Sequence, residues 1–123
     1  MKAILKLKWF MVFALLVTGC YYDNEEDLYG TVTCTPNPNA SFTVDVLPIL
    51  NIKCNNCHAG TSPSGGIKLN SYTEVIKYVE DGSLMGSINH ASGYSAMPKN
   101  GGKLPPCEIQ VIQDWIDAGA LNN

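Results

Sequence analysis

The residues of this chain best suited to do chemistry are Cys54-Asn55-Asn56-Cys57-His58. Two thiols three residues apart share one face of a helical turn, where they can add across the two vinyl groups of a haem and form thioethers. The adjacent His58 is then held under the iron as its proximal axial ligand. Two other chemistries use the same atoms. A redox dithiol of Cys54 and Cys57 would call for a thioredoxin-like βαβ pattern, and the flanking sequence has none. A structural zinc site could draw on Cys54, Cys57, His58 and His90, but a second Cys or His pair at ligand spacing is missing.

An iron held by His58 has a sixth position, and its occupant separates electron transfer from ligand chemistry. Outside the first nineteen residues the chain offers Met85, Met97 and His90, with lysine a remote fourth. Met97 lies in Ser95-Ala96-Met97-Pro98-Lys99-Asn100-Gly101-Gly102, a rigid and then flexible loop. Met85 follows Leu84 in a short apolar run and reads as core. His90 reads as exposed or as facing a haem propionate. A catalytic distal pocket would want a positioned acid or base; His90 is the one side chain suited to neutral pH, and the chain has no arginine.

The elements that must position these residues read as helices. Phe42, Val44, Val46, Leu47, Ile49, Leu50 and Ile52 form a dense apolar stretch leading into Cys54. With Asp45 as N-cap, Pro48 falls in the first turn, where its missing N–H costs nothing. Residues 60–70, with Pro63, Gly65 and Gly66, form a loop. Ser71-Tyr72-Thr73-Glu74 reads as a capping box, followed by Tyr72, Val75, Ile76 and Val79 at helical spacing and Gly82 as the stop. Residues 83–89 could add one further turn. A last helix opens at Pro105-Pro106 and runs to Ala118, with Ile109, Ile112 and Ile116 beside Val111 and Trp115 on a broad apolar face. Asp114 and Asp117 fall near its C-terminus, the unfavourable end of the helix dipole for an acid.

The N-terminal region has a different character. Lys2, Lys6 and Lys8 precede an apolar run at 9–17, and Val17-Thr18-Gly19-Cys20 ends it in small residues. The order of basic start, short apolar core and cleavage site is that of an export signal over residues 1–19, and an apolar run of this length is too short to span a bilayer. Val-Thr-Gly-Cys resembles a bacterial lipobox, which implies that Cys20 is lipidated and that the mature chain is anchored on a membrane without spanning it. Residues 20–40 then read as a flexible tether, with Asp23, Asn24, Glu25, Glu26 and Asp27 unable to build a core and Pro36-Asn37-Pro38-Asn39 a stiff spacer. In some Gram-negative lipoproteins a similar acidic run resembles a surface-export signal; it reads equally as a solvated linker. Of five cysteines, a lipidated Cys20 and a haem on Cys54 and Cys57 leave Cys34 and Cys107 to pair as a disulfide. Parity holds equally if Cys54 and Cys57 pair instead.

With these features together the chain, over residues 42–123, resembles a class I cytochrome c domain, in particular small bacterial lipoprotein forms of the Planctomycete-type cytochrome c family. The resemblance rests on Pro48-Ile49-Leu50, the Cys54 to His58 motif, Gly65-Gly66-Ile67, Met97-Pro98, and Ile112-Gln113-Asp114-Trp115-Ile116 followed by Gly119-Ala120. It implies an all-α fold over residues 41–123 in which N- and C-terminal helices pack around one covalently attached haem c. It further implies thioethers at Cys54 and Cys57, with His58 on the proximal side and Met97 on the distal side of the iron. Cys34 and Cys107 stand outside the basic class I pattern.

The expectation is therefore a monohaem electron carrier, not an enzyme, that docks transiently with redox protein partners as a monomer. It would act outside the cytoplasm, lipid-anchored in the periplasm or at the outer membrane or cell surface. The alternative is a haem domain that binds a small ligand or acts in a peroxidase-like way. A length of 123 residues with 15% charged and 46% apolar side chains suits one folded domain and excludes a second. The net charge is −3 and every basic residue is a lysine, so no basic patch invites nucleic acid.

Overall fold

Helix formation begins at Ser41, whose side chain and backbone are both engaged in starting it. In the computed structural model of the protein, which describes residues 33–123, Ser41 caps a π-helical turn, Phe42–Val46, that runs directly into helix α1, Leu47–Lys53. The Ser41 hydroxyl accepts from the Val44 N–H at 3.2 Å, and the Ser41 N–H donates to the Asp45 carboxylate at 2.8 Å. This is a reciprocal cap of the capping-box kind with its acid one position late, as a wider first turn requires. The expected N-cap at Asp45 is thereby corrected: the helix starts a turn earlier, and Asp45 forms the second arm of the Ser41 cap. Pro48 is the second residue of α1 and follows the π turn directly, so the cost-free first-turn place expected for it is corrected: the missing N–H falls where the π turn passes into the α-helix.

Every regular element among the described residues is helical, so the domain is all-α. A short 3₁₀ turn at Ser64–Gly66 is followed by α2, Tyr72–Glu80, α3, Ser83–Ile88, and α4, Pro106–Asp117. The Ser71 cap of α2 has the expected position but not the expected bond. Its hydroxyl lies 3.5 Å from that of Thr73, and Glu74 accepts from Lys77 at 2.9 Å in place of closing a box. Gly82, at φ +76°, ends α2 in the left-handed conformation that favours glycine, and α3 begins at once. No helix among the described residues is long and apolar enough to cross a membrane.

The core is built where the π turn packs on α4. Trp115 is fully buried, its ring centroid 5.5 Å from Phe42 and 6.4 Å from Tyr72, while Phe42 meets Tyr72 edge-on at 5.4 Å. Edge-to-face aromatic packing adds to the burial of area, and both polar handles have partners. The Trp115 indole N–H donates to the Leu121 carbonyl at 2.8 Å and the Tyr72 hydroxyl to that of Ala120 at 3.0 Å. Ile112, one turn before Trp115, Val46, Leu50 and Val75 are the other large side chains that are fully buried. The Thr43 and Phe42 N–H groups donate to the Asn123 main-chain and side-chain oxygens, each at 2.9 Å.

The leader at 1–19, Cys20 and the acidic run at 23–27 lie outside the described residues. The later part of the expected tether is not free. Cys34 is bonded to Cys107 at the start of α4, the Asn37 N–H donates to the Asp114 carboxylate at 2.7 Å, and Ala40 is buried. Residues 34–40 are therefore fastened to the folded domain. Local composition reads Pro36-Asn37-Pro38-Asn39 as a spacer; its fastening depends on α4, some seventy residues on. Asp114 also accepts from Gln110 at 2.6 Å and Asp117 from Gln113 at 2.7 Å, which accounts for two acids near a helix C-terminus.

Candidate functional site

The backbone of α1 ends at Cys54, whose N–H donates to the Leu50 carbonyl at 2.9 Å. The chain then tightens into a turn, with the Cys57 and His58 N–H groups both donating to the Cys54 carbonyl at 3.0 Å. Cys54 and Cys57 thus stand on one helical turn, and residues so spaced share a face. Neither is in a disulfide: Cys54 is half-buried and Cys57 exposed.

His58 is the buried member of the motif, 8% exposed. Its Nδ1 lies 3.3 Å from the Ile67 carbonyl oxygen. A carbonyl can only accept, so this contact places the proton on Nδ1 and leaves the Nε2 lone pair of the neutral ring free to bind a metal. Engagement of the second ring nitrogen by a backbone carbonyl is the usual arrangement of a metal-ligating histidine. The loop that supplies the carbonyl is tied back twice, Leu69 N–H to His58 carbonyl and Ser64 N–H to Cys57 carbonyl, each at 2.8 Å. Gly65 and Gly66, both at positive φ, form the 3₁₀ turn that aims Ile67. The donor set has the chemistry a c-type haem requires: two unbridged thiols on one turn and an imidazole with one nitrogen free.

The same geometry weighs against the other two chemistries. Burial, with the Glu108 carboxylate adding to it, pushes the Cys54 thiol up to about 11, whereas a reactive dithiol needs a lowered value. Among the described residues no three His, Cys, Asp or Glu side chains converge as a metal-ion site, so a zinc site from Cys54, Cys57 and His58 or His90 has no assembled ligand set.

The three side chains considered for the sixth position are separated by their surroundings. Met85 packs against the core from α3. Met97 is half-buried in the connection between α3 and α4, with a cis peptide to Pro98. Its N–H donates to the Ser87 carbonyl at 3.1 Å, and its carbonyl lies 3.0 Å from Nε2 of the exposed His90. That carbonyl claims the Nε2 proton of His90, leaving Nδ1 as its one nitrogen with a free lone pair.

Three features of this region were not visible in the sequence. The Ile67 carbonyl is a backbone atom. Glu108 reaches Lys53 at 3.3 Å through one oxygen while the other is buried without a partner, beside Cys54. Gly86, inside α3, has the Tyr94 ring against it; a glycine within a helix is a costly choice and was the one available signal. No protein-family model, no curated protein and no solved structure matches the chain.

Proposed function

We propose that the protein is a monohaem c-type cytochrome of the class I kind, a membrane-anchored electron carrier working outside the cytoplasm. The single observation that carries this reading is the His58 Nδ1 contact with the Ile67 carbonyl, made directly after two unbridged cysteines on one turn. Haem c bound there would supply a one-electron Fe(III)/Fe(II) couple. Cys54 and Cys57 would hold that group through thioethers, and His58 would bind its iron through Nε2. Met97 would supply a thioether ligand, which raises the potential relative to a second histidine. With both residues bound, small molecules would be kept off the metal.

Support for the fold part of this reading comes from the packing of the first helical turn on α4 and from the all-α composition. The alternative, a ligand-binding or peroxidase-like haem domain, needs a distal acid or base. His90 is the one candidate, and its Nε2 is committed to the Met97 carbonyl. Anchoring through lipid at Cys20 would place the carrier at a bacterial membrane surface, at the outer membrane or cell surface in preference to the inner membrane, where it would dock transiently with redox proteins as a monomer.

Expression of the full chain in a host that matures c-type cytochromes tests the proposal by intact mass. The expected product carries one haem that resists acid–acetone extraction, and the variant Cys54→Ser with Cys57→Ser carries none. Haem that extracts freely from the parent protein, or a parent without haem, would overturn it.

A further inference from the structure

Residues 89–105, between α3 and α4, contain no regular element, and connections of this length within a domain are commonly functional. Residues 90–96 are all exposed, so apolar burial does not hold this part of the loop. It is held by the Ala91 N–H, which donates to the Gly86 carbonyl at 2.9 Å, by the Tyr94 ring and by two bonds at Met97. The Met97 N–H donates to Ser87 at the end of α3, and the Met97 carbonyl accepts from His90, so both backbone groups of this one residue are fixed. Between His90 and Met97 the Tyr94 ring lies on Gly86: a Cβ at Gly86 would stand 2.5 Å from two of its ring carbons and 2.7 Å from a third. His90 itself sits at φ +55°, a conformation that histidine and asparagine tolerate better than most residues.

We infer that His90, and the Tyr94 ring seated on Gly86, are positioning residues that hold Met97 as the distal ligand. The inference deepens the proposed cytochrome function and rests on it. An axial thioether competes with other ligands and with the freedom of the loop that carries it. Fixing that loop beforehand removes the ordering cost from the ligand bond. Without the His90 bond or the Tyr94 contact, Met97 leaves the iron more easily.

The test uses the full-length haem-loaded protein and reads three signals: the weak red methionine-to-ferric charge-transfer band, the affinity of the ferric protein for imidazole, and hydrogen-exchange protection of the Met97 amide. His90→Asn keeps a side chain suited to the backbone but is too short to reach the carbonyl, whereas His90→Gln restores a donor near the Nε2 position. Gly86→Ala favours the helix by propensity, so any loss it causes comes from displacing the ring. Losing one such contact is expected to raise imidazole affinity about fivefold to tenfold in His90→Asn and in Gly86→Ala, with a weaker band and a less protected Met97 amide. His90→Gln should return toward the parent, and Gly86→Ala should add nothing once Tyr94→Ala is present. A parent with the band and variants within twofold of it in imidazole affinity would overturn this inference alone. A parent with covalent haem and no band would overturn the Met97 assignment together with it, and a parent without covalent haem would overturn the cytochrome reading as well.

Discussion

His58 and Ile67 meet across nine residues of chain, imidazole Nδ1 to carbonyl oxygen, at 3.3 Å. The contact converts a residue type into a directed one. A histidine next to two cysteines is a pattern; one whose Nδ1 proton is claimed by backbone has a defined tautomer and a defined free nitrogen. The turn at Gly65 and Gly66 is what brings the carbonyl there.

Gly66→Ala should therefore be costly although the site has room. A Cβ at Gly66 meets nothing within 4 Å, but φ is +72°, and an alanine held there costs about 1–2 kcal/mol. Urea denaturation of the haem-loaded variant measures this, and a midpoint equal to that of the parent would mean that the turn relaxes freely.

Replacing Met97 with alanine should leave both thioethers in place, lower the midpoint potential, and open the ferric iron to cyanide and the ferrous iron to CO. Potentiometric titration and ligand spectra check it. An unchanged potential would move the distal assignment to Met85 or His90.

Much of this architecture was legible in local sequence, and the exceptions share a cause. The start of α4 at Pro105-Pro106 and the burial of Ile112 and Trp115 follow from proline placement and helical period. The stop at Gly82 follows from the left-handed backbone that glycine adopts freely. Residue type favours Asp45 as the cap of the first helix, whereas the cap is Ser41: a π turn shifts the capping arm by one residue, and nothing in the pattern 41–46 announces that wider turn. The bond from Asn37 to Asp114, the Tyr94 ring on Gly86 and the carbonyl of Ile67 join residues by tertiary contact or through backbone atoms. Side-chain periodicity carries no signal for either. The cysteines and His58 were visible as chemistry, but the atom that directs the histidine was not.

The Cys34–Cys107 bond closes a long loop, a separation of 73 residues, between Cys34 and the start of α4. Chain entropy bounds its contribution at about 4 kcal/mol, and the proposed haem at Cys54 and Cys57 would restrict part of the same loop, so the gain should fall below that bound. The double variant Cys34→Ser, Cys107→Ser should lose stability in urea while keeping its haem spectrum. A variant as stable as the parent would show that the bond adds nothing to the stability of the folded domain.

Acid should act at the start of α3. The Asp81 carboxylate accepts from the Ser83 N–H at 2.8 Å, and hydrogen bonds with Ser83 hold its pKa below the ordinary carboxylate value. A depressed carboxylate contributes stability above its unfolded pKa, about 3.9, and loses it as pH falls through the lower folded value. Asp81→Ala should melt earlier than the parent at neutral pH, and the two melting curves should converge below that value. Equal melting temperatures at neutral pH would remove Asp81 from the account.

The most direct measurement is a pair of absorbance spectra, oxidised and dithionite-reduced, of the full chain matured with its leader in a c-type cytochrome host. Covalent haem with His58 and Met97 as axial ligands predicts sharp reduced α and β bands and, in the oxidised protein, the weak red methionine-to-ferric charge-transfer band. A protein without haem bands would contradict the central claim.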